Sequence, residues 1–176
     1  LCIMDRATRF LSERRDVHPA GVACAAVFEG NRVFLVEIQA LTAPAKAAVS
    51  RVYSDKIDSA RVSRIAAILE KRAGIRFLGE DIYIIVAGGI RLSESAVDAA
   101  LAAAMYSART DVPVPVGTAV FGELSLAGEI RAVPKIKQRA KTAEGLGFTN
   151  ILAPENGAGI TCVKDIRSLI KTVFAK

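Results

Sequence analysis

The sequence predicts a single mixed α/β (α+β) domain. Three observations carry this prediction. Two apolar runs are split by Gly30-Asn31, as in a β-hairpin; later segments place apolar residues at helical spacing; and short β-branched runs alternate with those helical segments.

Residues 1–19 are mixed and charged, ending in Arg14-Arg15-Asp16 and His18-Pro19. They read as a lead-in to a domain spanning 20–176, and a first residue other than Met suggests a piece of a longer chain. Residues 20–29 and 32–40 form the expected hairpin, with a Gly-Asn turn that leaves the turn type open. Residues 41–60 are Ala/Ser-rich and read as irregular. Val62, Ile65, Ala66 and Leu69 make one apolar stripe, so 61–73 is expected to be helical and to stop at Gly74. Residues 81–87 (DIYIIVA) read as a buried strand ended by Gly88-Gly89. A second helix is expected over 93–108, with Ser93 as N-cap and Glu94 and Asp98 in the early turns. Asp111 to Pro115 breaks the chain. Strands are expected at 117–124 and around 128–133. Pro134 then opens a helix in its first turn, where its missing N–H costs nothing; that helix runs to about Leu146 and stops at Gly147. A strand at 150–153 and a helix over 164–174 complete the chain.

Composition narrows the function classes. Hydrophobic residues make up 52% of the 176 residues and charged residues 24%, a balance that folds rather than stays disordered. With no Trp and only 6% aromatics, the core must come from Ala, Val, Ile and Leu. No run reaches the ~20 apolar residues a membrane helix needs. Asp5, Arg6 and Arg9 interrupt the apolar start, so no signal-peptide core forms. A cytoplasmic protein without a membrane partner is the expectation. Cys2, Cys24 and Cys162 make no CxxC pair, so neither zinc nor a disulfide framework is predicted. His18, beside Pro19 in a polar stretch, lacks the positioned partners of a proton shuttle. The formal net charge of +6 favours anionic partners without naming one.

Several chemistries find no motif. There is no GxxxxGK[ST] loop for nucleotide phosphates, and Gly88-Gly89 develops into no GxGxxG. HExxH, EF-hand and GxSxG patterns are absent. Glu123 and Glu129 sit in strand and turn context and read as surface carboxylates rather than a catalytic pair.

An ordered series of stretches carries a resemblance. Phe10-Leu11-Ser12-Glu13, Val36-Glu37-Ile38-Gln39-Ala40-Leu41, Leu69-Glu70-Lys71-Arg72-Ala73-Gly74, Phe121-Gly122-Glu123, Leu126-Ala127-Gly128-Glu129-Ile130-Arg131, and Ala153-Pro154 after Gly147-Phe148 follow one another across residues 10–155. Together they resemble the C-terminal domain of the RadA (Sms) family of bacterial DNA-repair proteins. The resemblance implies a Lon-protease-like fold, hexameric rings, a role in processing recombination intermediates, and partners that include single-stranded or branched DNA and a RecA-type recombinase. Family members carry a zinc-binding region and a RecA-like ATPase upstream. ATP, magnesium and zinc are therefore expected only there, and no cofactor is expected in this chain.

Lon proteases use a serine nucleophile and a lysine base, the lysine taking the serine proton when desolvation keeps it neutral. With Gly122-Glu123 as register and no gaps, the nucleophile position falls on Ala96 and the base position on Arg139. Alanine offers no nucleophile, and arginine stays protonated. The resemblance thus implies a degenerate dyad and no protease activity. A small shift of register to Ser95 and Lys137 restores the residue types, so a Lon-type Ser-Lys peptidase remains the alternative, with a pure oligomerisation domain as a third.

Basic residues gather in two segments. Residues 46–72 hold Lys46, Arg51, Lys56, Arg61, Arg64, Lys71 and Arg72 against Asp55, Asp58 and Glu70; residues 131–141 hold Arg131, Lys135, Lys137, Arg139 and Lys141 with no acid. Positive charge at a helix N-terminus opposes the macrodipole, so the second group asks for another reason to be there, such as phosphate contact. The expected DNA-contacting residues are Arg51, Lys56, Arg61, Arg64, Lys135, Lys137, Arg139 and Lys141. Only Tyr53 and Tyr106 offer rings beside these segments, so a base-stacking platform is not predicted.

Overall fold

The computed structural model describes residues 19–175. The motif at Phe10, Cys2 and His18 lie outside them. A hairpin of β1 (Val22–Glu29) and β2 (Arg32–Pro44) turns at Gly30-Asn31 with full antiparallel register, Glu29 facing Arg32 and Val22 facing Gln39. Short β3 (Val52–Ser54), helix α1 (Ser59–Ala73) and β4 (Glu80–Val86) follow. A 3₁₀ turn at Ser95–Val97 leads into α2 (Asp98–Thr110). Then come β5 (Thr118–Val120), the two-stranded ribbon of β6 (Glu123–Leu124) and β7 (Ile130–Arg131), and α3 (Ile136–Gly145). The chain closes with β8 (Asn150–Ala153), β9 (Ile160–Cys162) and α4 (Ile166–Phe174).

Seven strands form one mixed sheet in the order β3-β4-β2-β1-β5-β8-β9. The β2 pairings with β1 and β4 are antiparallel, whereas β1-β5, β5-β8, β8-β9 and β3-β4 are parallel. Side chains alternate between the two faces. One face (Ala23, Ala25, Val36, Ile38, Ile82, Ile84) packs beneath α1, α2 and α4. The other face is covered by α3 only over Cys24, Ala26, Leu35, Ala119 and Ile151. Where β2 ends and β4 and β3 continue, that face is open, and Leu41 and Ile85 are more than 60% exposed.

Local signals explain most boundaries. Asp58 caps α1 through its carboxylate, which accepts the Ala60 N–H at 3.2 Å, and Gly74 ends it with φ 71°, a conformation glycine adopts without Cβ strain. The run Ala99 to Ala104 is buried throughout, so α2 is the central helix, and its small side chains let it sit close against the sheet.

The structure corrects four expectations. The second helix starts at Asp98, not Ser93, because residues 93–97 are held outside it by arginine contacts described below. Pro134 does not open α3: Lys135 stands at the N-cap in a left-handed conformation (φ 58°), and the helix begins at Ile136. Residues 41–60 are not wholly irregular, since β2 continues to Pro44 and β3 forms within them. The expected strand 117–124 is two strands on different sheets, divided at Phe121-Gly122.

Candidate functional site

Residues 93–98 are the meeting point of the two helical layers. From α1, Arg61 donates to the carbonyls of Ser93 (3.0 Å) and Glu94 (3.0 Å) and pairs with Asp98 at 3.1 Å. From α3, Arg139 pairs with the Glu94 carboxylate, whose other oxygen accepts the Phe28 N–H at 3.1 Å. The next segment seals it: Gly122 donates to the Ala96 carbonyl at 3.1 Å, Ala99 donates to the Gly122 carbonyl at 3.0 Å, and the Leu124 N–H donates to Asp98 at 3.1 Å. Gly122 is required by space, since a Cβ there would overlap Ile130 Cγ2. Burial pushes the Asp98 carboxyl above its ordinary value, with the Leu124 N–H, Arg61 and Arg64 opposing the rise and Glu123 adding to it.

The two positions expected to hold the degenerate dyad both lie in this region. Ala96 is 1% exposed and belongs to the smaller core with Cys24, Ala26, Ala119 and Phe121. Arg139 is also 1% exposed. Its guanidinium is fully engaged: Nε donates to the Pro134 carbonyl at 2.9 Å, one terminal nitrogen to the Ala26 carbonyl at 2.7 Å, and the other to Glu94. The Phe28 ring lies 4.6 Å from its central carbon. Arg139 thus acts as a fork joining α3 to β1 and to the 93–98 segment, a geometry lysine cannot reproduce. The alternative pair is not brought together by any contact. Ser95 Oγ donates to Glu123 at 3.3 Å, and Lys137 is exposed, two residues or about 200° around the helix from Arg139.

The residues expected to contact DNA divide into two groups. Arg51, Arg64, Lys135, Lys137 and Lys141 are exposed, and Lys56 is half-buried. Arg139 and Arg61 are corrections: the first is buried and spent internally, and the second has a side chain only 16% exposed and committed to three internal bonds. Neither can reach a phosphate without breaking the fold. No acidic residue stands in the first turn of α3, so the exposed charges of Lys135 and Lys137 are unbalanced within the helix; Lys135 Nζ lies 5.0 Å over the Phe28 ring.

Glu123 is half-buried, accepting from Ser95, whereas Glu129 is exposed and 3.7 Å from Arg131; they do not form a pair. Among the described residues no group of three or more His, Cys, Asp or Glu side chains is placed to hold a metal ion. Gly88 and Gly89 lie in a 3₁₀ turn rather than at the start of a helix, so they do not form the cradle that nucleotide phosphates require. No helix of the described residues is long and apolar enough to cross a membrane. The aromatic residues contain one arrangement that the sequence does not signal. Tyr53 on β3 stacks on Tyr83 of β4, centroids 4.7 Å apart and planes within 10°, while Tyr106 packs inward against Phe174.

Residues 36–157 match the family model described as ChlI, subunit ChlI of Mg-chelatase. The chain belongs to this family. It is also similar to curated relatives named DNA repair protein RadA. The relative from Treponema pallidum (strain Nichols) is 59% identical over 152 residues, covering 86% of this chain and 33% of the relative. That from Brucella abortus (strain 2308) is 45% identical over 150 residues, covering 85% and 32%. That from Streptococcus pneumoniae (strain ATCC BAA-255 / R6) is 38% identical over 182 residues, covering 98% and 43%. The chain therefore spans only about a third to two-fifths of the length of these relatives. The expected kinship with RadA-named proteins is matched, while the family model carries the name of a chelatase subunit.

Proposed function

We propose that this chain is a non-proteolytic, Lon-protease-like scaffold domain of a DNA repair and recombination protein, and that it contacts DNA through its exposed basic surface. The observation that carries the reading is Arg139. At the position that the resemblance assigns to a Lon-type base stands a residue that cannot lose its proton, bonded within the fold, and the position it assigns to the nucleophile is an alanine. On this reading the side chains at these positions serve structure rather than catalysis. The relatives named for DNA repair support the DNA partner. So do the exposed Lys135, Lys137 and Lys141, gathered on one helix whose first turn holds no acidic residue, Glu144 being the helix's one acid. In the full-length protein this domain would help place ATPase subunits in a hexameric ring around single-stranded or branched DNA, in the cytoplasm, in concert with a RecA-type recombinase. ATP, magnesium and zinc would be held by upstream domains.

The test pairs two assays on the same preparation. The reading expects binding to a labelled single-stranded oligonucleotide that weakens with salt, and no hydrolysis of a fluorogenic peptide or of casein. Peptide hydrolysis abolished by Ser95→Ala would support the Ser-Lys alternative. A folded ring-forming chain without DNA affinity at low salt would leave the oligomerisation scaffold.

A further inference from the structure

The open half of the sheet presents a flat surface that the basic helix does not share. Across three neighbouring strands, Leu41, Tyr83 and Tyr53 stand in one row, for Leu41 is registered with Tyr83 and Tyr83 with Tyr53. Ile85 follows Tyr83 on the same side of β4. Leu41 is 61% exposed, Ile85 62% and Tyr53 44%. The two tyrosine rings lie nearly parallel at 4.7 Å, and Tyr53 belongs to an edge strand, so a third flat ring can continue the stack from outside.

Two carboxylates on this face, Glu37 and Asp81, are buried and hydrogen-bonded within the protein, Glu37 accepting from Gln39 at 2.9 Å and Asp81 from the Arg51 N–H at 2.8 Å. The exposed Asp55 beyond Tyr53 is outnumbered by Arg51 and Lys56 in the same segment. Arg51 is exposed one ladder step before β3, and alternation puts it on the same side as Tyr53. A partly exposed aromatic stack, apolar flanks and an adjoining arginine are what unpaired nucleobases with their phosphates require; duplex DNA, with its bases already stacked, cannot use them.

We propose that Tyr53 and Tyr83, with Leu41, Ile85 and Arg51, form a base-stacking platform for single-stranded nucleic acid. This rests on the DNA-contacting reading above and gives it a second, strand-selective surface. The stacking contribution of Tyr53 and Tyr83 is insensitive to salt, whereas the phosphate contacts of Arg51, Lys137 and Lys141 are not.

The test uses the intrinsic fluorescence of the chain. There is no Trp and there are three Tyr, so the signal comes from Tyr53, Tyr83 and Tyr106, of which the last packs internally. Oligo(dT) is titrated into wild type, Tyr53→Leu and Lys137→Ala/Lys141→Ala, with a duplex of equal length in parallel. The platform predicts quenching of the wild-type signal by oligo(dT), affinity about tenfold lower in Tyr53→Leu with an unchanged salt slope, and no effect of that substitution on duplex binding. Equal oligo(dT) affinity of Tyr53→Leu and wild type, while the lysine variant still binds more weakly, overturns the platform and leaves the DNA reading intact. Loss of all binding in wild type overturns both. Concentration-dependent dimerisation in sedimentation velocity that Tyr53→Leu abolishes would assign the surface to a second copy of the chain and also overturn the platform.

Discussion

Arg139→Ala should destabilise the fold without acting through DNA. The substitution strips donors from the buried carbonyl of Ala26, worth about 1 kcal/mol when left unpaired, and from that of the exposed Pro134, where water limits the loss to about 0.5 kcal/mol. It leaves the Glu94 carboxylate without its cation; that side chain is 29% exposed, so water recovers part of the loss, and about 1 kcal/mol remains. It also removes the cation over Phe28 and the packing of the arginine stem, together about 1–2 kcal/mol. The expected cost is about 4 kcal/mol, or roughly 10 °C in melting temperature for a chain of this size. Chemical denaturation of wild type, Arg139→Ala and Glu94→Leu, with the double variant to close the cycle, measures it. The coupling between the two positions should be about 1–3 kcal/mol. A denaturation midpoint of Arg139→Ala equivalent to within about 0.5 kcal/mol of wild type would refute the structural role of this side chain.

Three further expectations follow from the same region. Ala96→Ser/Arg139→Lys restores the residue types of a Ser-Lys dyad but should gain no peptidase activity, because a lysine facing Glu94 is held protonated; peptide hydrolysis by this variant would show that the site needs only its side chains. Asp98 has a folded-state value above its ordinary 3.8, so the protonated form is favoured by folding, and the stability this gives is present at low pH and lost as pH rises through the folded value. Thermal unfolding from about pH 4 to 7 should therefore shift the difference between wild type and Asp98→Asn in favour of the variant as pH rises, and the opposite drift would contradict the burial argument. Gly122→Ala forces a methyl group into Ile130 and should cost about 1–3 kcal/mol in denaturation midpoint, with no loss if the β6-β7 ribbon can shift freely.

Where periodicity and punctuation act locally, the fold was legible in the sequence. The hairpin at Gly30-Asn31, the stripe of Val62, Ile65 and Leu69, and the stop at Gly74 all stand where their patterns put them. The short strands β3 and β9 were not legible, because three polar-flanked residues become a strand only through a neighbour on the sheet edge. The start of α2 departs from its local sequence pattern for a similar reason. Ser93 has the chemistry of a cap, but Arg61, 32 residues earlier, holds its carbonyl instead. Of the basic residues, Arg139 did carry a signal: it falls on the helical stripe of Ile136, Ala140 and Ala143, which marks a side chain that faces the core. The approach of Tyr53 to Tyr83 is set by the register of β3 against β4, 30 residues apart in sequence, and no local pattern encodes it.

The central claim, a protein surface that binds DNA by charge on a framework without protease chemistry, is tested most directly by the salt dependence of DNA binding. Fluorescence anisotropy of a labelled single-stranded oligonucleotide would be followed from about 50 to 200 mM salt for wild type and Lys137→Ala/Lys141→Ala, two exposed side chains whose loss leaves the core intact. The account predicts affinity that falls with salt in both, with the slope of log affinity against log salt shallower by about 1.4 in the variant, about 0.7 for each phosphate contact removed. Equal slopes would remove α3 from the DNA surface, and no binding by the folded wild-type chain at the lowest salt would contradict the account itself.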